Sequence, residues 1–123
     1  MTWTVAFDDS LRIVILTYSG VSTGEDIKEA AVARIALGRE KGVDRYLIDT
    51  TAVVTDESAT SDLFDLPDKF YPAERNQRDS RIAILEPESS RSSEMVRFFE
   101  SVCVNRGWAV KVFSDRESAI RWL

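Results

Sequence analysis

The sequence predicts a single α/β domain with a single-layer, mixed and mostly parallel five-stranded sheet flanked by helices, in the order β-β-α-β-α-β-α-β-α. Short apolar, β-branched runs alternate along the chain with longer runs of helical periodicity. Capping residues precede the helical runs, and Gly42 and Gly107 follow two of them. With 123 residues and no dividing linker, we expect residues 1–123 to form one domain.

Two strands open the chain. Thr2–Phe7 alternates polar and apolar residues, and Leu11–Tyr18 is rich in β-branched and apolar residues. The turn residues 8–10 between them predict an antiparallel hairpin. Gly20 is predicted to end the second strand.

The first helix is predicted to run to about Lys41, where Gly42 stops it. Ser22 and Glu25 fit a capping box, and Thr23 is a competing N-cap. Its inward positions at helical spacing are Ile27, Ala30, Ala31, Arg34 and Ile35.

The middle of the chain is predicted to hold the third strand and an interrupted helix. Arg45–Thr50 has an apolar centre typical of a strand, and Thr51–Glu57 is predicted to be a polar loop. A short helix over Ser58–Leu66 is expected to break at Pro67, because proline lacks an N–H and clashes with the preceding turn.

Two more strands and two more helices follow. The strands are Arg81–Leu85 and Ala109–Phe113, and a serine-rich loop, Glu86–Ser93, leads from the fourth strand into a helix. Ser114 and Glu117 fit a second capping box for the last helix. The helix between the two strands carries one apolar stripe, made of Met95, Phe98, Phe99, Val102 and Cys103.

Composition excludes several classes of function. The net charge of −5 works against binding to nucleic acids or anionic membranes. The chain has no histidine, which removes the commonest general base and the usual zinc ligand, so we expect no catalytic residue, metal or cofactor. A single cysteine, no signal-peptide pattern and no membrane-length apolar run predict a cytoplasmic protein that does not insert into membranes.

The element order, the length and the closing Ala119–Leu123 segment resemble the SpoIIAA-like family, which is related to STAS domains and bacterial anti-sigma-factor antagonists. The resemblance covers essentially the whole chain and implies the same fold. In the antagonists, an Asp-Ser-Ser-Gly motif at a helix start carries a serine that a partner kinase phosphorylates. Aligning the strand end at Asp49 places Ser58 on that serine, while Glu57, Ala59 and Thr60 depart from the motif.

Parallel strands predict a functional edge, because ligands of open α/β sheets bind beyond the carboxyl ends of the strands. That edge should gather Asp49–Ser58, Glu86–Ser93 and Ser114–Glu117. A phosphate on Ser58 would meet a helix N-terminus, although the simpler interpretation of this serine is an N-cap. The candidate phosphorylation or interaction residues in this region are Asp49, Thr51, Asp56, Glu57 and Ser58.

Three other clusters have both a functional and a structural interpretation. Ser89, Ser90 and Arg91 can contact an anion at a helix start, or can form a solvated loop that caps the helix. The acidic residues at 49, 56, 57, 62 and 65 lack the spacing of a metal loop and predict a solvated face that could meet a basic partner. A third set can line an apolar pocket beside Pro67 or belong to the core, and it comprises Leu63, Phe64, Phe70 and Tyr71.

Three functions follow from these observations. The leading hypothesis is a non-enzymatic regulatory or protein-interaction module with a protein partner. The alternative is a protein that binds a small apolar ligand or lipid between the interrupted helix and the sheet. An enzyme would have to rely on Asp49, Glu57 and Glu86 and ranks below both. A homodimer through the edge of the first hairpin is a further expectation.

Overall fold

The computed structural model describes residues 2–56, 60–76, 79–88 and 90–123, with the side chains of all but residues 55, 56, 60, 90 and 91. The strands are Trp3–Asp8 (β1), Ile13–Ser22 (β2), Arg45–Asp56 (β3), Arg81–Leu85 (β4) and Ala109–Phe113 (β5). The helices are Gly24–Lys41 (α1), Thr60–Asp65 (α2), Tyr71–Ala73 (α3), Ser90–Asn105 (α4) and Arg116–Trp122 (α5). A π-helical turn, Leu66–Phe70, joins α2 to α3.

The five strands form one sheet in the sequential order β1-β2-β3-β4-β5. β1 pairs antiparallel with β2, and the three following pairs are parallel, as the sequence predicts. Each parallel connection therefore moves the chain by one strand. This arrangement brings the carboxyl ends of β2 to β5 to one edge of the sheet, which we call the C-terminal edge.

More helices cover one face of the sheet than the other. Because side chains alternate along a strand, neighbouring residues of each strand face opposite sides of the sheet. α1, the segment from α2 to α3, and α4 cover one face, where Leu16, Ile48 and Ile84 belong to the larger core cluster. α5 packs on the other face against Leu47 and Ala83. The larger cluster lies beneath three crossovers, so any internal cavity of useful size is expected on that face.

The prediction of a loop at Thr51–Glu57 is wrong over residues 51–56, because β3 continues to Asp56. Its last residues pair with an equally extended β2, from Ser19–Ala52 to Ser22–Asp56. Gly20 therefore lies inside β2 at a register shift, with φ at 69°, and does not end the strand. The polar character of 51–56 reflects a two-stranded ribbon that runs past the end of β4, which we call the β2/β3 extension.

The predicted break at Pro67 is a widened helical turn. The backbone N–H of Tyr71 donates to the carbonyl of Leu66, a bond that spans five residues and defines a π turn. The chain consequently stays helical from Thr60 to Ala73.

Both N-caps lie one residue after the predicted position. Thr23, the competing candidate, caps α1, and its box partner is Asp26 and not Glu25. Asp115, and not Ser114, caps α5 by accepting a hydrogen bond from the backbone N–H of Ser118 at 2.8 Å. Ser22 is the last residue of β2, so its extended backbone lies just before the cap position.

Candidate functional site

Hydrogen bonds tie together the strand ends at the C-terminal edge. The hydroxyl of Thr50, in the middle of β3, donates to the carbonyl of Leu85 at the end of β4, at 2.5 Å. The backbone N–H of Glu86 donates to the carbonyl of Phe113 at the end of β5, at 3.1 Å. The three segments that the sequence predicts at this edge, which begin near residues 50, 86 and 114, therefore lie together. This follows from the parallel pairing of their strands.

Asp49 lies at this edge on the α5 face of the sheet. Its Oδ1 accepts hydrogen bonds from the backbone N–H of Thr51 at 2.9 Å and from the Thr51 hydroxyl at 2.6 Å. Its Oδ2 lies 3.5 Å from Nη1 of Arg116 on α5. Asp49 and Thr51, both predicted as interaction residues, thus form one small polar cluster with a cation.

Glu86 lies close by and is also engaged. Its Oε2 accepts a hydrogen bond from Nη2 of Arg97 at 2.6 Å, and its Oε1 accepts one from the Ser114 hydroxyl at 3.4 Å. Asp49 and Glu86 therefore each have an arginine and a hydroxyl as partners. These contacts fix the orientation of both carboxylates at the edge.

The β2/β3 extension presents apolar surface. Val54 is 72% exposed and Val21 is 43% exposed, on strands that are paired with each other. Thr51 and Ala52 next to them are also exposed. A strand ribbon with exposed valines and neighbouring carboxylates is chemically suited to contact another protein surface.

Several predicted site residues lie outside the described part of the chain. Glu57, Ser58 and Ser89 are in the gaps between the described ranges. Asp56 ends β3, and Ser90 and Arg91 begin α4, but their side chains are likewise not described. The proposals for phosphorylation at Ser58 and anion contact at 89–91 stay predictions.

A cavity of about 80 Å³ lies between the sheet and the covering helices. A single water needs roughly 10–15 Å³, so the cavity has room for a small organic molecule. The C-terminal edge contributes Ser22, Thr50 and Pro87 to the wall, so the cavity lies directly beneath that edge. The remaining wall is mostly apolar and includes Leu16, Ile48, Val53, Leu66, Ile84, Met95, Val96 and Phe99.

The predicted pocket residues divide into two pairs. Leu63 and Tyr71 line the cavity, as the sequence suggests. Phe64 makes an edge-to-face contact with Phe98, with ring centroids 5.7 Å apart. Phe70 lies under Lys28, whose Nζ is 5.8 Å from the ring centroid. Phe64 and Phe70 thus support the helix that closes the cavity without forming its wall.

Arg34 is the cavity residue that sequence reasoning missed. It is 1% exposed, it lines the cavity, and its guanidinium lies over the rings of Tyr46 at 4.6 Å and Tyr71 at 4.8 Å. The signal was present in the sequence, because Arg34 occupies a core-facing position of α1 between Ala31 and Ile35. An arginine at such a position indicates either a buried polar network or a binding site.

Burial dominates the titration of two groups near this cavity. It raises the pKa of Tyr71 to about 12, although the charge of Arg34 and its hydrogen-bonding contact with the tyrosine oppose the shift. Burial also raises the pKa of the Cys103 thiol to about 12, and Cys103 is fully buried. The thiol is therefore protonated and hidden at neutral pH, which makes Cys103 a core residue and not a nucleophile.

The described ranges contain neither a cluster that could hold a metal ion nor a helix that could span a membrane. Within residues 2–56, 60–76, 79–88 and 90–123, no three histidine, cysteine, aspartate or glutamate residues come together as a set that could hold a metal ion. Among the helices so described, none combines the length and apolarity required to cross a bilayer.

Comparisons with known proteins identify the architecture. The first structural neighbour is an uncharacterized protein of the DUF3478 family from Shewanella loihica PV-4, which has a SpoIIAA-like fold. The match has a TM-score of 0.59 and 17% identity, and covers 98% of this chain and 91% of the neighbour. This chain has the SpoIIAA-like fold. The resemblance seen in the sequence is thereby confirmed at the level of the fold.

A second neighbour with the SpoIIAA-like fold is the anti-sigma-factor antagonist SpoIIAA in its unphosphorylated form. The TM-score is 0.57 with 15% identity, and the match covers 98% of this chain and 96% of the neighbour. No protein-family model and no curated protein matches the sequence. At these identities the neighbours establish the fold, and the function has to be argued from the site.

Proposed function

We propose that this protein is a non-enzymatic regulatory module of the STAS and SpoIIAA-like type, which binds a protein partner through the β2/β3 extension and the start of α2. The observation that carries the proposal is the exposure of Val54, at 72%, beside Val21 on the paired strand. Apolar side chains on a projecting ribbon lose this exposure when a partner covers them. In the sequence, Asp56 and Glu57 follow Val54, and such acidic residues would favour a partner with a basic surface.

The structural similarity to the antagonist SpoIIAA also supports a proposed regulatory role. Its name states that it acts against an anti-sigma factor, and its structure is described as the unphosphorylated form. A phosphate on Ser58 would add negative charge beside Asp56, Glu57 and Asp62. Phosphorylation at Ser58 is accordingly the modification that we expect to weaken or redirect partner binding.

The experiment that tests this proposal places a photo-crosslinking amino acid at Val54 in living cells. Val104 on α4 is the matched control, because it is also an exposed valine, at 53%, and lies towards the opposite edge of the sheet. We expect a crosslinked protein from position 54 that is absent from position 104. The captured protein is then purified, and its affinity for wild-type, Val54→Asp and Val104→Asp protein is measured.

The result expected is a loss of affinity of at least about tenfold for Val54→Asp, because a charge would be buried in an apolar contact, with no loss for Val104→Asp. A Ser58→Asp variant should change the yield of the crosslink at position 54, and Ser58→Ala should not. Equal crosslinking from both valines, or none from either, would count against the proposed interface.

The homodimer expected from the sequence also stays a proposal. β1 is an edge strand of the described sheet, and its outer side has no strand partner among the described residues, so it could pair with a second β1. Light scattering of the purified protein over a range of concentrations measures the mass directly. The cytoplasmic location and the absence of nucleic-acid binding are proposed on the charge and composition arguments given above.

A second candidate function, binding of a small apolar or amphipathic ligand, is favoured by the cavity beneath the C-terminal edge. Its mostly apolar wall would gain contacts from an apolar ligand. Native mass spectrometry of freshly purified protein should then show a ligand-bound mass. An unliganded mass, together with an unchanged melting temperature across a panel of lipids and metabolites, would argue against this function.

A further inference from the structure

Arg34 is a buried cation without a carboxylate partner among the described residues. Its Nη1 donates a hydrogen bond to Oδ1 of Asn76 at 3.1 Å, and Asn76 is neutral. Its Nη2 is buried and has no hydrogen-bond partner in the described part of the chain. A buried charge is expensive unless it is paired, so this arrangement indicates that a negative group is missing from the site.

The aromatic contacts of Arg34 do not replace such a partner. Tyr46 and Tyr71 offer ring faces to the guanidinium at 4.6 Å and 4.8 Å, which stabilises the positive charge by cation–π interaction. Tyr71 also makes a hydrogen-bonding contact with Arg34, but its hydroxyl is neutral and does not balance the charge. The protons of a guanidinium lie in its plane and require acceptors there. The two rings therefore hold the guanidinium in position while Nη2 keeps its donor capacity.

A second unpartnered polar atom belongs to the same cavity. Ser22 is 4% exposed and lines the wall, and its buried hydroxyl has no hydrogen-bond partner among the described residues. Buried hydroxyl groups in proteins almost always have a partner. Ser22 ends β2, whereas Arg34 lies over Tyr46, which pairs with Val14 near the start of β2, so the two unpartnered donors lie towards opposite ends of a mostly apolar cavity.

We propose that this cavity binds a short-chain monocarboxylic acid, with the carboxylate on Arg34 and the alkyl chain against the apolar wall. The proposal rests on the second candidate function, ligand binding in the cavity, and names the class of ligand. A single guanidinium matches the single charge of a carboxylate. A phosphate would bring a second negative charge for which the described wall offers no second cation.

The test is isothermal titration of the purified protein with hexanoate and with hexan-1-ol, which has the same chain without the charge. We expect hexanoate to bind at least about tenfold more tightly than hexan-1-ol, because hydrogen bonds to charged groups are the stronger ones. Butanoate and octanoate measure the length that the cavity accepts. Hexylamine, which carries the opposite charge, should not bind.

Two kinds of variant locate the site. Arg34→Gln should remove the preference for the acid over the alcohol, because it should lower the affinity for hexanoate far more than the affinity for hexan-1-ol. Val96→Trp should fill the cavity from α4 and lower the affinity for hexanoate at least about tenfold, while Val104→Trp, on the exposed side of the same helix, should not. Circular dichroism will show whether Arg34→Gln is folded. If it is not, the proposal is tested by the Val96→Trp and Val104→Trp variants and by the comparison of hexanoate with hexan-1-ol.

The outcomes distinguish a failure of ligand binding in the cavity from a failure of the proposed ligand class. Equal affinity for hexanoate and hexan-1-ol would overturn the role of Arg34 while leaving ligand binding intact. Tighter binding of inorganic phosphate than of hexanoate would overturn the choice of a singly charged group. Failure of every compound to bind would overturn the cavity as a ligand site. Unchanged binding of hexanoate to Val96→Trp would place the ligand elsewhere.

Discussion

Replacing Gly38 by alanine should destabilise the protein, although alanine is the better helix former. Gly38 lies in α1, and a β-carbon built at this position would lie 2.1 Å from the hydroxyl oxygen of Tyr46 and 2.8 Å from its Cζ. Tyr46 is 3% exposed and its ring also contacts Arg34, so it has little room to move. The ring would have to retreat by more than about 1 Å to restore a normal contact.

The net effect follows from two opposing magnitudes. Alanine gains about 1 kcal/mol over glycine in the interior of a helix. Overpacking in a closely packed core costs about 1–3 kcal/mol and occasionally more. Because Tyr46 is fixed on both sides, we expect the steric cost to dominate, and the free energy of unfolding of Gly38→Ala should fall by about 1–2 kcal/mol.

Urea denaturation followed by tryptophan fluorescence measures this change, since the buried Trp108 packs edge-on against Tyr71 and reports on the same core. The same substitution in a Tyr46→Phe background is the control. Without the hydroxyl the nearest ring atom is 2.8 Å away, so Gly38→Ala should cost less there, with a coupling of at least about 0.5 kcal/mol. A gain of stability from Gly38→Ala in both backgrounds would refute the steric argument.

Three further predictions concern titratable groups. Native Cys103 should resist a thiol reagent at pH 8 and react fully in guanidinium, because burial hides the thiol and raises its pKa to about 12. Rapid labelling of the native protein would contradict this prediction. The free energy of unfolding should decline as the pH rises from about 9 towards 12, since the unfolded chain ionises Cys103 near 9.0 and Tyr71 near 10.0 while the folded pKa of each is about 12. Urea midpoints measured across this range check the decline, and a flat profile would be inconsistent with both raised pKa values. At the acid end, the hydrogen bond from the Ser118 backbone lowers the pKa of Asp115, so its contribution is present above 3.8 and disappears as the pH falls through the lower folded value. Asp115→Asn should make the loss of stability below pH 4 less steep, and an unchanged acid profile would argue against the cap.

The two candidate sites lie on opposite faces of one edge, and this separation matters for interpreting any variant. Asp49 and Arg116 are on the α5 face, whereas the cavity with Ser22 and Arg34 is on the face covered by the other helices. Val53, within the β2/β3 extension, lines the cavity. A partner bound to the extension and a ligand bound in the cavity would therefore touch the same strand, so occupancy of one site can be measured as a change in the other.

The sequence by itself determined the architecture of this protein. Alternation of apolar residues, the capping residues and Gly42 are local signals, and they predicted the order of strands and helices and the antiparallel start of a parallel sheet. Topology then predicted that the regions of Asp49, Glu86 and Ser114 meet at one edge, which the structure shows. Local signals suffice for the elements because periodicity, capping and turn residues are short-range patterns, and the right-handed connection of parallel strands then restricts how those elements can be arranged.

Only the tertiary structure decided which side chains lie together at the candidate sites. Residues 51–56 read as a polar loop because their strand pairing comes from the distant end of β2, about thirty residues earlier, which no local pattern contains. The π turn at Leu66–Phe70 and the exclusion of Phe64 and Phe70 from the cavity wall depend on how α2 and α3 pack. Arg34 has the helical spacing of a core residue, and its meaning depends on whether a carboxylate reaches it across the fold. Side chains that are far apart in the sequence meet only through tertiary packing, so the sequence could not show whether Arg34 has such a partner.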